Sequence, residues 1–176
     1  DEQVKGLTRA KKLIDQIEVA LSEGAEAVIS TASGCGNFIK DFDTLFRDED
    51  DYKSRVESIK SKVLDISELL LQEDISKLNF TGGERVAFHN PCTLQHGQKL
   101  SGVVEALLSQ AGFDLNKIQD SHLCCGSAGT YSLFQPEMAK ELRDKKLANL
   151  QAGHSNNIAT ANIGCQCHLA SGTKQK

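Results

Sequence analysis

The chain has 176 residues, 39% of them hydrophobic and 25% charged, with a formal net charge of −4. That balance belongs to a water-soluble globular chain, long enough for one ordinary domain or two small halves, and not to a disordered segment. No run of Lys and Arg is long enough for a phosphate-binding stripe, which argues against nucleic acid, and no apolar stretch approaches the ~20 residues of a membrane span.

Taken in chain order, Val4, Leu7, Ala10, Leu13, Ile14, Ile17, Ala20 and Leu21 form an apolar stripe at helical spacing, closed by Gly24. Residues 25–31 read as a short strand, Ser33-Gly34-Cys35-Gly36 as a tight turn, and Phe38 to Phe46 as a helix leaving it. Asp48 to Asp51 reads as a solvated acidic loop. From Lys53 a second helical stripe (Val56, Ile59, Val63, Ile66, Leu70) predicts a helix, with Ser67 capping a second piece of it. Thr81-Gly82-Gly83 breaks either regular structure and divides the chain into units 1–80 and 81–176.

Glu84 to His89 reads as a buried strand, turned by Asn90-Pro91-Cys92 because proline cannot continue the ladder. A helix over Val103 to Leu108, a strand over Phe113 to Ile118, and a helix opened by Gln135-Pro136-Glu137 and running to about Leu150 follow. Asn157 to Ala161 forms the last strand before the turn Ile163-Gly164-Cys165. Helices alternating with short apolar strands predict an α/β fold with a largely parallel sheet flanked by helices, whose sites lie beyond the carboxyl ends of the strands. Residues 28–35 and 158–165 also align with each other, each reading as strand, small polar residues, then Gly-Cys and a helix. This weak repeat predicts two related half-units, the first truncated, with Cys35 and Cys165 at equivalent turns.

Six cysteines are the unusual feature. No export signal accompanies them, and the adjacent pair Cys124-Cys125 suits independent disulfides poorly, so metal binding or redox chemistry is the better reading. Cys35, Cys92, Cys124, Cys125 and Cys165 all follow strand candidates. Cys92 and Cys124 are separated by 31 residues and Cys125 and Cys165 by 39, which is not the close-knuckle spacing of a zinc finger. Such ligands must be gathered from separate strand ends. Adjacent thiolates grip one ion poorly but can reach different irons of a cluster, which favours iron–sulfur chemistry and leaves zinc open. If the four share a site, Cys92 and Cys165 must lie at one edge of one sheet. The histidines His89, His96, His122 and His168 flank these motifs and read as hydrogen-bonding support for the turns and ligands. The helical stripe Met138 to Leu150 reads as ordinary core. Cys-Gly-Ser-Ala-Gly lacks the lysine of a phosphate-binding loop.

His89-Asn90-Pro91-Cys92-Thr93-Leu94-Gln95-His96-Gly97-Gln98, then Asp120-Ser121-His122-Leu123-Cys124-Cys125-Gly126-Ser127-Ala128-Gly129-Thr130-Tyr131, then Ala159-Thr160-Ala161-Asn162-Ile163-Gly164-Cys165-Gln166 resemble the glycolate oxidase iron–sulfur subunits. More broadly they resemble the cysteine-rich CCG domains of heterodisulfide reductases and lactate-utilisation proteins. Thr31 to Gly36 is similar to the end of that family's first repeat, so 1–80 would be the C-terminal part of a first CCG repeat and 81–176 the second. The resemblance implies that Cys92, Cys124, Cys125 and Cys165 hold an iron–sulfur cluster of the 4Fe-4S type in the intact protein, with zinc as the alternative and an empty site conceivable in a fragment. The family's final cysteine falls at His168, and Cys167 sits one place early. His168 is thus the first candidate for a fifth ligand, with Cys167 and Cys35 behind it.

The chain has no initial Met, and it reads as an excised C-terminal piece of such a subunit. Function follows from the same resemblance. The chain is expected to be a non-catalytic electron-transfer subunit of a flavin-dependent glycolate (2-hydroxy acid) oxidase, passing electrons from flavin-binding partner subunits to an acceptor such as a quinone. Placement would be cytoplasmic, compatible with peripheral association at the inner face of the membrane. The alternatives are a structural zinc-binding module that docks partner subunits and a heterodisulfide-reductase-like thiol redox protein.

Overall fold

The structure, a computed structural model, describes residues 2–173. It is mixed α/β, and every strand pairing is parallel. The first half opens with α1 (Glu2–Ser22), β1 (Val28–Ser30), α2 (Ser33–Lys40), α3 (Phe42–Leu45), α4 (Asp50–Lys60), β2 (Val63–Asp65) and α5 (Ile66–Gln72). The second contains β3 (Arg85–His89), a π-turn (Thr93–Gly97), α6 (Val103–Gln110), β4 (Asp114–Leu115), α7 (Tyr131–Phe134), α8 (Pro136–Gln151), β5 (Asn157–Thr160) and α9 (Ile163–Ala170). The expected parallel α/β class is therefore present, divided between a two-stranded sheet β1-β2 and a three-stranded sheet β4-β3-β5.

Several local expectations are corrected. Val63 belongs to β2, pairing with Val28, and not to the preceding helix. A strand followed at once by a helix mimics helical periodicity, and burial of the β-branched Val63 on a sheet settles the ambiguity. Asp65, not Ser67, caps α5: its side chain accepts from Ser67 N at 3.0 Å, while Glu68 accepts from Asp65 N at 2.8 Å, a reciprocal capping box. Asp50 and Asp51 are not loop but the first turn of α4, where carboxylates favour the helix N-terminus. The segments 33–36 and 163–165 are likewise the first turns of α2 and α9. Of 113–118 only Asp114–Leu115 pairs as strand.

Two apolar clusters form the core. Ala10, Ile14, Ile17, Phe42, Phe46, Val56 and Ile59 pack α1 against α3 and α4. Ala87, Cys125, Leu147, Leu150 and Leu169 pack α8 and α9 on the three-stranded sheet, with Cys165, Ile118 and Ile158 against them. Ser33, fully buried, ties the halves together. Its N–H donates to Ala161 O at 3.2 Å, its hydroxyl meets Thr93 Oγ1 at 2.8 Å, and Gln98 Nε2 donates to its carbonyl at 3.0 Å. Among the described residues no helix is long and apolar enough to cross a membrane.

Candidate metal centre

Three segments reach one place beyond the carboxyl ends of β3 and β5. Cys92 follows buried Asn90 and Pro91, and the carbonyl of Pro91 accepts from Leu94 N and Gln95 N, starting the π-turn directly after Cys92. Cys124 and Cys125 lie in the loop between β4 and α7. Gly126 has φ +90°, and a Cβ there would stand 2.4 Å from Ala139 O, so only glycine lets this loop lie flat on α8. Cys165 is the third residue of α9. Asn162 caps that helix, accepting from Gly164 N at 2.9 Å and Cys165 N at 3.3 Å, and so points the N-terminal turn at the site.

The four thiols are coupled in series, Cys92 with Cys124, Cys124 with Cys125, and Cys125 with Cys165, each close enough to shift the protonation of the next. They share their protons unequally. Hydrogen bonds from Cys125 and Cys92, joined by Gly126 N at 3.3 Å, hold Cys124 well below an ordinary thiol pKa. A hydrogen bond from Cys125 likewise lowers Cys165. The donors are pushed the other way: Cys92 is raised by its bond to Cys124 and by burial, Cys125 by its bonds to Cys124 and Cys165. The chemistry of four cysteine sulfurs gathered at one place fits zinc or an iron–sulfur cluster.

Two residues at this place were not assigned such a position from sequence. His89, expected to support turns, is 2% exposed at the end of β3, and one of its ring nitrogens is grouped with the Cys125 and Cys165 sulfurs, the three donor atoms within 4.8 Å of one another. Burial, then the nearby Lys146 charge, pull its pKa down to about 4. Lys146, in the stripe read as ordinary core, is also 2% exposed and donates to the carbonyls of Asp120 at 2.8 Å and Ser121 at 3.3 Å. Burial lowers its pKa, while Cys92, Cys125, Asp120 and Cys124 pull it back up. The available signal was a lysine in step with Ala139 and Leu150 on one apolar helix face.

The other nominated donors are not part of this coupled set. Cys35 is exposed at the third residue of α2, the same position in its helix that Cys165 holds in α9. Cys167 is exposed, and His168 Nε2 donates to Ala139 O at 3.1 Å. His96 Nε2 meets the His122 carbonyl at 3.3 Å, the turn-bracing role expected of it.

Residues 86–170 match the profile of the CCG cysteine-rich domain. The second half of the chain therefore contains a CCG cysteine-rich domain. It is 48% identical over 169 residues, 96% of its own length, to the glycolate oxidase iron–sulfur subunit of Escherichia coli K12. It is 29% identical over 86% of its length to a probable glycolate oxidase iron–sulfur subunit of Bacillus subtilis. To lactate utilization protein A of a Geobacillus species it is 22% identical over 88%. The resemblance seen in the motifs is thereby borne out. The chain spans less than half the length of the two glycolate oxidase relatives, 42% and 35%, and 66% of the Geobacillus protein.

Proposed function

We propose that this chain carries an iron–sulfur centre, of the four-iron type, on Cys92, Cys124, Cys125 and Cys165. It would serve as the electron-transfer part of a glycolate or related 2-hydroxy acid oxidase, between flavin-binding partner subunits and an acceptor. The gathering of the four cysteines beyond the ends of β3 and β5, where each thiol shifts the protonation of its neighbour, carries this reading. The names of the relatives at 48% and 29% identity supply the reaction. A bound cluster would supply one-electron redox chemistry. The chain's own residues then do the tuning. Gly126 N–H donates to Cys124 Sγ, the first turn of α9 presents its N–H groups beside Cys165, and Lys146 places a buried cation near Cys92, Cys124 and Cys125. Each favours negative charge at the sulfurs. Cys125, 1% exposed among Leu147, Leu150 and Leu169, keeps water from that side.

A second reading has its own support. Grouping of His89, Cys125 and Cys165 within 4.8 Å is close to the reach of one ion, which favours a structural zinc site in an interaction module. Anaerobic reconstitution with iron and sulfide, read by visible absorption and electron paramagnetic resonance, separates the two. A broad visible band with a paramagnetic signal on reduction is expected. A colourless, silent protein holding stoichiometric zinc would instead establish the module.

A further inference from the structure

His89 differs from the other histidines of the motif region. It closes β3 and stands opposite Thr160 in the parallel register, with Nδ1 at 3.0 Å from the Thr160 hydroxyl. The side chain is 2% exposed, yet Nε2 has no hydrogen-bond partner. Folded proteins rarely bury a polar nitrogen without one, and such an atom calls for an explanation. A ring nitrogen of His89, Cys125 Sγ and Cys165 Sγ all lie within 4.8 Å of one another, and Nε2 is the nitrogen left unpaired. Donors of a single ion bound at ~2.0–2.3 Å lie no more than about 4 Å apart, so only a small adjustment separates this arrangement from a ligand set.

We propose that His89 Nε2 is a direct ligand of the metal centre, which is thus a mixed thiolate–imidazole site. This rests on the reading of the cysteines as a metal centre and adds a donor to it. Thr160 holds the ring through Nδ1: with Nδ1–H donated to its hydroxyl, Nε2 carries the free lone pair that a ligand needs, the arrangement by which protein-bound metals orient their imidazoles. Burial keeps the ring neutral, the form a ligand requires. A neutral imidazole adds a donor without adding negative charge, so the centre has a higher reduction potential than a further thiolate would give it, as histidine ligation does in other iron–sulfur proteins.

The test uses the full-length protein loaded with zinc alone and, separately, reconstituted with iron and sulfide. X-ray absorption at the zinc edge should show a nitrogen scatterer at ~2.0 Å beside sulfur at ~2.3 Å. His89→Gln should remove it and weaken zinc binding at least tenfold, while His89→Cys should give an all-sulfur shell with zinc retained. A sulfur-only shell in the unaltered protein, or a nitrogen that persists in His89→Gln, overturns the assignment. In the iron-loaded, reduced protein, histidine labelled with 15N should show nitrogen hyperfine coupling. A cluster without that coupling would remove His89 and leave the iron–sulfur reading standing. Zinc bound through His89 with no cluster ever assembling would do the reverse.

Discussion

Lys146 Nζ donates to the carbonyl oxygen of Asp120 at 2.8 Å, which anchors a buried cation under the loop that carries Cys124 and Cys125. A lysine ammonium has three donors, and two carbonyl acceptors hold it in place without cancelling its charge. Replacing it by methionine keeps much of the bulk and removes the charge. Lys146→Met should lower the reduction potential of the reconstituted centre, by an amount on the order of 59 mV for a tenfold change in the one-electron equilibrium. Lys146→Arg should restore much of it. Potentiometric titration checks both, and an unchanged potential in Lys146→Met would remove Lys146 from the electrostatics of the site.

Gly126→Ala should be costly. The residue combines φ +90° with a Cβ position 2.4 Å from Ala139 O, so both backbone strain and a clash with main chain oppose the side chain. A loss of about 2–4 kcal/mol is expected, together with reduced metal loading because Cys124 and Cys125 share the displaced loop. Thermal denaturation with metal analysis reads both.

Asn162→Ala removes the cap of α9 and its bonds to Gly164 N and Cys165 N. Its side-chain amide also donates to Ser33 Oγ at 3.3 Å and Thr93 Oγ1 at 3.4 Å. A destabilisation of about 1–2 kcal/mol is expected in chemical denaturation. Asn162→Asp should retain most of the cap and lose the two donated bonds.

The metal-free protein should gain stability with rising pH through His89. Its pKa of about 4 when folded lies below the usual 6.5, so between those values the unfolded chain binds the extra proton. The contribution is complete above about pH 6.5 and is lost as pH falls toward 4, amounting to roughly 3 kcal/mol at most. Comparing the pH dependence of unfolding for the unaltered protein and His89→Gln isolates the group, and His89→Gln should show the shallower decline between pH 6.5 and 4.

Cys35→Ser should leave the metal content unchanged, because Cys35 is exposed on α2 and outside the coupled set of thiols. Cys125→Ser or Cys165→Ser should each deplete it. Elemental analysis of purified protein decides, and loss of metal from Cys35→Ser would bring the first half into the site.

Local sequence was enough for the alternation of helices and strands, the parallel α/β class, the start of α8 at Pro136 and the three cysteine-bearing segments. Those depend on periodicity, on proline and glycine geometry, and on motifs contiguous in the chain. It was not enough for β2, since a three-residue strand running straight into a helix keeps helical spacing and only its pairing with β1 reveals it. Nor could it separate His89 from His168 or single out Lys146. His89 meets Thr160 across 71 positions, and Lys146 meets Asp120 across 26. Which polar atoms are buried, which are left unpaired and which face the sulfurs is set by contacts between segments remote in the chain, and those exist only once the sheet is assembled and α8 is packed upon it.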